Sequence, residues 1–322
     1  MVLGEACRSS LIVPSGPNVV ISPDVMRLIA HVVCARKADA NRNATQKLAR
    51  ILSVLKSDLS LPQLRTDTST PMRPKRILIT NDDGIYAPGL KALESGLAAV
   101  GEVTVVAPDR EMSASSQSIS VHAPLRVHKL DERRMAATGT PADTVILALY
   151  RLLPEKPDLV VSGINPGGNL GENVIYSGTV AAAMEATLHG VPAFAISLAT
   201  RKYLDFSAAA LFAGQLARVI LEKGLPPGVM LNVNVPRGEV KGIRITRQSQ
   251  KISQNIVHEK ADPRGRPYYW LDETARIEVA EEDSDYAAIR AHEISITPLQ
   301  VDRTDYSCLQ KLAEWLPRLT RE

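Results

Sequence analysis

The sequence predicts an α/β protein built on a parallel, doubly wound sheet. Three observations carry that expectation: the buried-strand run Arg76-Ile77-Leu78-Ile79-Thr80, a helical period from Gly89 to Val100 behind it, and a second β-rich run, Val103 to Ala107. Strand, loop, helix and strand in that order make a βαβ unit, which implies parallel pairing. The order then recurs. Ala142 to Leu153 reads as a helix, Leu159 to Ser162 as a strand, Gly178 to His189 as a helix and Ala193 to Ser197 as a strand. A longer helix, about Phe206 to Lys223, leads to the strand Met230 to Val235, which Pro236 closes.

Beyond Pro236 the texture changes. Lys241 to Arg247 and Tyr268 to Leu271 are strand-like and flank Asp262-Pro263-Arg264-Gly265, a hairpin-type turn. Glu293 to Pro298 reads as a further strand before a terminal helix from about Cys308 to Leu316. This stretch has too little helix for another α/β layer. The expected organisation is a Rossmann-like core over 75–240 and a hairpin-and-helix arm over 241–322 that packs on the core and serves self-association. Residues 1–74 read as an appendage with one amphipathic helix, about Ala44 to Lys56, and a linker at Pro71 to Pro74. Its Arg-rich, acid-poor composition suits a targeting leader, although no usual signal-peptide core follows its start. The blander expectation is a disordered extension or upstream sequence, because Met72 stands just before the first strong strand.

Composition bounds the function. With 322 residues, 45% hydrophobic and 23% charged, the chain suits one large globular domain or two. The apolar stretches Leu11 to Ile21 and Val25 to Ala35 are broken by Pro14, Pro17, Arg27 and His31, short of the ~20 residues a membrane span needs. A net charge of +3 suggests a nucleic-acid binder until the charges are located. Ten Lys/Arg and five Asp/Glu fall in residues 1–74, leaving 28 basic and 30 acidic residues beyond, so no nucleic-acid polymer is expected as partner. Cys7, Cys34 and Cys308 are odd in number, far apart and without a C-x-x-C, which fits a reducing, cytoplasmic setting. The histidines, at 31, 122, 128, 189, 258 and 292, form no ligand pair of zinc type.

The sharpest feature is Asn81-Asp82-Asp83-Gly84 directly after a buried strand. Ligand crevices of open α/β sheets lie beyond the carboxyl ends of the strands. An isolated acidic pair also arises as a helix cap beside a solvated neighbour. Two further strand ends shift the balance: Pro108-Asp109-Arg110-Glu111-Met112-Ser113 and Ser162-Gly163-Ile164-Asn165. Carboxylate, hydroxyl and amide oxygens together suit a hard cation such as Mg²⁺ or Mn²⁺ with open positions for phosphate. Downstream, Gly167-Gly168-Asn169-Leu170-Gly171 and Tyr176-Ser177-Gly178-Thr179 open a helix, where unpaired N–H groups attract an anion. An ordinary loop capped by Ser177 or Thr179 is the competing reading. The glycine fingerprints of dinucleotide and P-loop sites are absent, as is a G-x-S-x-G elbow.

The string Ile79-Thr80-Asn81-Asp82-Asp83-Gly84-Ile85-Tyr86-Ala87-Pro88-Gly89 resembles the opening of the SurE (survival protein E) family of metal-dependent 5'/3'-nucleotidases. The likeness continues through Val106 to Arg110, Gly139 to Asp143, Val161 to Asn165, Ile175 to Glu185 and Ser295 to Leu299, in family order. It implies that Asp82, Asp83, Ser113 and Asn165 bind one divalent metal ion per subunit. Asn169, Ser177, Gly178 and Thr179 would line a phosphate pocket, with Asn81 beside the acidic pair. It also implies a Rossmann-like, mostly parallel core and an arm exchanged within a homodimer or homotetramer. Ala114 departs from the Gly that many members carry after the serine, and Pro166 and Gly168 flank Gly167 where members vary.

The expected reaction is metal-dependent hydrolysis of nucleoside 5'- and 3'-monophosphates, with short polyphosphate as an added substrate. Asp83 or Asp82 would orient the attacking water. A covalent aspartyl-phosphate is disfavoured, because a carboxylate committed to a metal is a poor nucleophile. Three rivals are a non-catalytic nucleotide-binding protein, a transferase using a metal-bound nucleotide diphosphate, and an assembly protein working through its arm.

Overall fold

The computed structural model describes residues 73–202, 204–250, 253–275 and 281–319. The appendage and its helix at Ala44 to Lys56 lie outside them. The strands are β1 (Arg76–Thr80), β2 (Glu102–Pro108), β3 (Val127–Lys129), β4 (Arg134–Ala137), β5 (Leu159–Pro166), β6 (Ala193–Leu198), β7 (Val229–Val235), β8 (Gly242–Ile245), β9 (Ser253–Ala261), β10 (Pro267–Ala275) and β11 (Glu293–Gln300). The helices are α1 (Pro88–Leu97), α2 (Pro141–Leu147), α3 (Asn173–Tyr176), α4 (Gly178–Leu188), α5 (Ser207–Lys223), α6 (Asp285–Arg290), α7 (Tyr306–Ala313) and α8 (Leu316–Leu319).

Nine strands form one sheet in the order β3-β4-β2-β1-β5-β6-β7-β11-β8, while β9 and β10 pair only with each other. From β4 to β7 all pairing is parallel, and β11 runs antiparallel to β7. This is the Rossmann-like α/β class. Burial on both faces explains why β1 reads as unbroken apolar sequence. Ile77 and Ile79 enter one core with Leu90 and Leu93 of α1 and Phe212 and Leu216 of α5, whereas Leu78 enters the other with Val145 of α2 and Val180 and Ala183 of α4.

Pro88 at its first turn starts α1, which buries Leu90, Leu93 and Leu97. A capping box starts α2: the Thr140 hydroxyl accepts from Asp143 N at 3.1 Å, and Asp143 Oδ2 accepts from Thr140 N at 2.9 Å. The helix expected over Ala142 to Leu153 stops at Leu147, and a π-helical turn, Ala148–Leu152, finishes it. The strand expected to end at Ser162 runs on to Pro166, with a register shift against β6 between Gly163 and Asn165. Asn165 therefore stands on a strand.

The C-terminal stretch differs most from expectation. The Lys241 to Arg247 strand does not pair across the Asp262 turn. As β8 it lies parallel to β11 at the sheet edge, Ile243 opposite Ile294, and the hairpin partner of β10 is β9, Trp270 opposite His258. Both β8 and β11 thus extend the same sheet as the core. No helix among the described residues is long and apolar enough to cross a membrane.

Candidate active site

The sheet order sets the site. β1 has β2 on one side and β5 on the other, so the three segments ending in Asp82-Asp83, Glu111-Met112-Ser113 and Asn165 leave the sheet side by side. This is the switch point at which open α/β sheets place their ligands.

Local hydrogen bonds shape the acidic turn. Asn81 is fully buried and spends its amide on Gly84, with Nδ2 donating to Gly84 O at 3.0 Å and Oδ1 accepting from Gly84 N at 3.2 Å. It pins the turn that presents the two carboxylates. Met112 N donates to Asp82 O at 2.7 Å, tying the loop after β2 to the same turn.

Asp82 is buried, and its Oδ1 accepts a hydrogen bond from the Thr179 hydroxyl at the start of α4. Burial pushes its pKa up, while the Thr179 hydroxyl and main-chain N–H oppose the rise. Asp83 is driven further, to about 7, by burial first and then by the charges of Asp82 and Glu111, with Arg201 pulling the other way. Its Oδ2 is buried and makes no hydrogen bond. A buried carboxylate oxygen without a donor is costly unless a cation or proton meets it.

The neutral oxygens lie around this pair. Asn165 Nδ2 donates to Gly167 O at 2.7 Å, which leaves Oδ1 as acceptor. Ser113 is exposed and donates its hydroxyl hydrogen to Glu111 Oε1 at 2.7 Å, so its lone pairs stay available. Among the described residues no three His, Cys, Asp or Glu side chains group together, so neutral oxygens would have to complete any cation site on the acidic pair. Ala114, the departure noted after Ser113, sits at φ 58°, where glycine is the unstrained residue.

The polar segment after β5 wraps the same rim. Asn169 is fixed by the sheet: its N donates to Asn234 Oδ1 at 2.8 Å, its O accepts from Asn232 and Asn234, and its Nδ2 donates to Ser197 Oγ at 2.8 Å. Ser177 caps α4, accepting from Val180 N at 3.1 Å. Between cap and helix, Gly178 leaves no room for a side chain, since a Cβ there would stand 2.8 Å from both Asp82 Cβ and Ser115 Oγ.

Three residues of this rim were not singled out from the sequence. Glu111 lies in the loop already marked, and its charge raises both carboxylates. Ser115 Oγ is buried without a partner beside Gly178. Arg201 follows β6 and reaches over the loop, its Nε 2.9 Å from where a Gly167 Cβ would be. The signal for it was positional: β6 adjoins β5, so its carboxyl end joins the same rim.

Comparison with known proteins agrees with this geometry. A family model described as Survival protein SurE matches residues 77–255. The "5'-nucleotidase SurE" of Moorella thermoacetica is 50% identical over 248 residues, spanning 74% of this chain and 95% of the relative. That of Geobacter sulfurreducens is 49% identical over 243 residues, spanning 74% and 93%. The crystal structure of the SurE protein from Aquifex aeolicus superposes with a TM-score of 0.69 at 39% identity, covering 75% of this chain and 99% of that one. With the acidic turn, the Asn165 strand end and the Ser177-Gly178-Thr179 helix start all inside the matched span, the chain belongs to the SurE family.

Proposed function

We propose that this chain is a divalent-metal-dependent 5'-nucleotidase that hydrolyses nucleoside 5'-monophosphates, and 3'-monophosphates, to nucleoside and phosphate, with short polyphosphate as a further substrate. The observation that carries the reading is Asp83 Oδ2, buried and without a donor, beside a second carboxylate at a sheet switch point. The relatives named 5'-nucleotidase SurE support the substrate class.

Asp82, Asp83, Ser113 and Asn165 fit one hard cation by donor type, Mg²⁺ or Mn²⁺ above all. Bound there, such an ion supplies Lewis-acid polarisation of a phosphoryl oxygen and neutralises transition-state charge. The chain does the rest by positioning. Thr179 holds Asp82 in one orientation. Ser177 already satisfies Val180 N, which leaves the Gly178 N–H for a phosphate oxygen. Asn169 uses one Nδ2 hydrogen on Ser197 and keeps the second for substrate. Asp83 or Asp82 orients the attacking water and takes its proton. The proposal includes a homodimer or homotetramer joined through the hairpin and terminal helices, and a cytoplasmic setting.

The test is phosphate release by the full chain from AMP, 3'-AMP and p-nitrophenyl phosphate, with Mn²⁺ or Mg²⁺ and after EDTA. Metal-dependent release is expected. Tight nucleotide binding without release would replace the reading by a binding protein, and release only to an added acceptor by a transferase.

A further inference from the structure

We infer that Asp285 is a positioning residue of the active site, the buried anchor that fixes Gly171 and through it the turn that leads to Ser177 and Thr179, the second half of the segment from Asn169 to Thr179. The inference rests on reading that segment as the phosphate-binding stretch.

Asp285 lies far from the acidic turn in sequence and is 0% exposed. Its carboxylate is saturated by donors from three elements. Oδ2 accepts from Gly171 N at 3.0 Å, and Oδ1 accepts from Ser249 N at 3.1 Å, from the Ser249 hydroxyl and from Tyr286 N at 2.7 Å. A carboxylate with so many donors is held rigidly, and charge-assisted bonds are the strong ones. The Gly171 carbonyl is held as well, accepting from Gln248 Nε2 at 2.7 Å. Both sides of this residue are therefore fixed by residues that flank β9 and β10: Gln248 and Ser249 come before the hairpin and Asp285 after it.

Gly171 is the pivot of the segment. It sits at φ 51°, and a Cβ there would stand 3.3 Å from the main-chain oxygens of Ser249 and Gln250. Asn169 lies two residues before it, and the Gly171 carbonyl accepts from Val174 N at 3.3 Å in the turn leading to Ser177. Release of Gly171 would free the half that leads to Ser177, while Asn169 stays held by Asn232, Asn234 and Ser197. A phosphate-binding stretch that loses its place holds substrate and transition state less tightly alike, which raises KM more than it lowers kcat.

The experiment uses the full chain with Asp285→Asn, Asp285→Ala, Gln248→Ala and, as a check on the reading beneath, Asn169→Ala. Steady-state kinetics with AMP, inhibition by inorganic phosphate and thermal melting are measured for each. Gln248→Ala removes a partly buried donor and keeps the fold testable if Asp285→Ala fails to fold. Expected are a KM for AMP and an inhibition constant for phosphate raised about tenfold in Gln248→Ala and Asp285→Asn, with kcat changed less than about threefold. Asp285→Asn should outperform Asp285→Ala. Wild-type KM and phosphate affinity in folded Gln248→Ala and Asp285→Asn, beside an impaired Asn169→Ala, would overturn the inference. A wild-type KM in Asn169→Ala would overturn the phosphate-segment reading and this inference with it.

Discussion

The Thr179 hydroxyl donates to the Asp82 carboxylate across 97 residues of sequence, joining the end of β1 to the start of α4. Thr179→Val keeps the shape and deletes the donor. A lost charge-assisted bond of about 1.5–3 kcal/mol corresponds to a fall in kcat/KM of roughly 10–100-fold. Thr179→Ser, which keeps the hydroxyl, should stay within about threefold, and steady-state kinetics with AMP decide between them.

Asp83 links activity to pH through stability. Its folded pKa of about 7 lies above the ordinary 3.8, so the fold favours the protonated form. The stability contribution of this group is complete at low pH and is lost as pH rises through about 7. Without metal, the wild-type protein should melt at a lower temperature at pH 8 than at pH 5.5 on this account. Asp83→Asn should flatten that dependence while lowering turnover by several orders of magnitude, and Mn²⁺ should restore wild-type melting at pH 8. Melting curves in EDTA and in Mn²⁺ check each part.

Gly178→Ala should cost turnover without unfolding the protein. The added methyl would meet Asp82 Cβ and Ser115 Oγ at 2.8 Å, so the acidic turn and α4 must separate. Overpacking of this kind costs about 1–3 kcal/mol, a few degrees of melting temperature. Phosphate release should fall at least tenfold, because the displaced group is a proposed metal ligand.

Asp143→Ala tests the structural side of the same rim. Besides capping α2, Asp143 accepts from Ser120 N at 2.9 Å and Ser120 Oγ at 2.7 Å, anchoring the far end of the loop that begins at Ser113. Loss of the cap and of these bonds should destabilise by about 2–3 kcal/mol, read from urea midpoints. Activity of the folded fraction should change far less than in Asp83→Asn.

The oligomer part of the proposal has a direct check. Tyr269, Trp270 and Leu271 stand exposed on β10, Leu271 at 82%, and Leu312, Trp315 and Leu319 stand exposed near the C-terminus. Trp270→Glu with Leu271→Glu puts charge on both faces of the hairpin without touching the main sheet. Light scattering should then show fewer subunits per particle than for the wild type, and an unchanged count would remove the hairpin from the interface. Removing everything after Val240 would not serve, because β8 and β11 belong to the main sheet.

Legibility followed burial. β1, β5, β6 and β7 could be read because both faces are covered, so each carries a run of mostly apolar residues, with polar ones such as Ser162, Ser197, Asn232 and Asn234 among them. β9 could not: Asn255-Ile256-Val257-His258-Glu259-Lys260 has no buried face, and its strand character comes from the partner across the turn. The same blindness led Lys241 to Arg247 to be joined to the hairpin, since an edge strand does not name its neighbour. In the site, Asp82 and Asp83 stood out because a strand end is a physical address. Arg201 and Asp285 did not, because what matters for them is which strands and loops adjoin, and sequence order conceals that.

The placement of β11 bears on how the chain is made. β7 shows a row of unpaired main-chain groups along Val229–Val235 until Glu293–Gln300 arrives to cover it, and β8 has no place in the sheet before then. A ribosome must therefore deliver some sixty further residues, the whole hairpin among them, before that edge is sealed. Until that moment the nascent protein carries an apolar, open β-edge, the kind of surface that pairs with the wrong chain. Termination anywhere between 236 and 292 would leave that edge open for good, so premature stops in this window should yield aggregates rather than shortened enzymes.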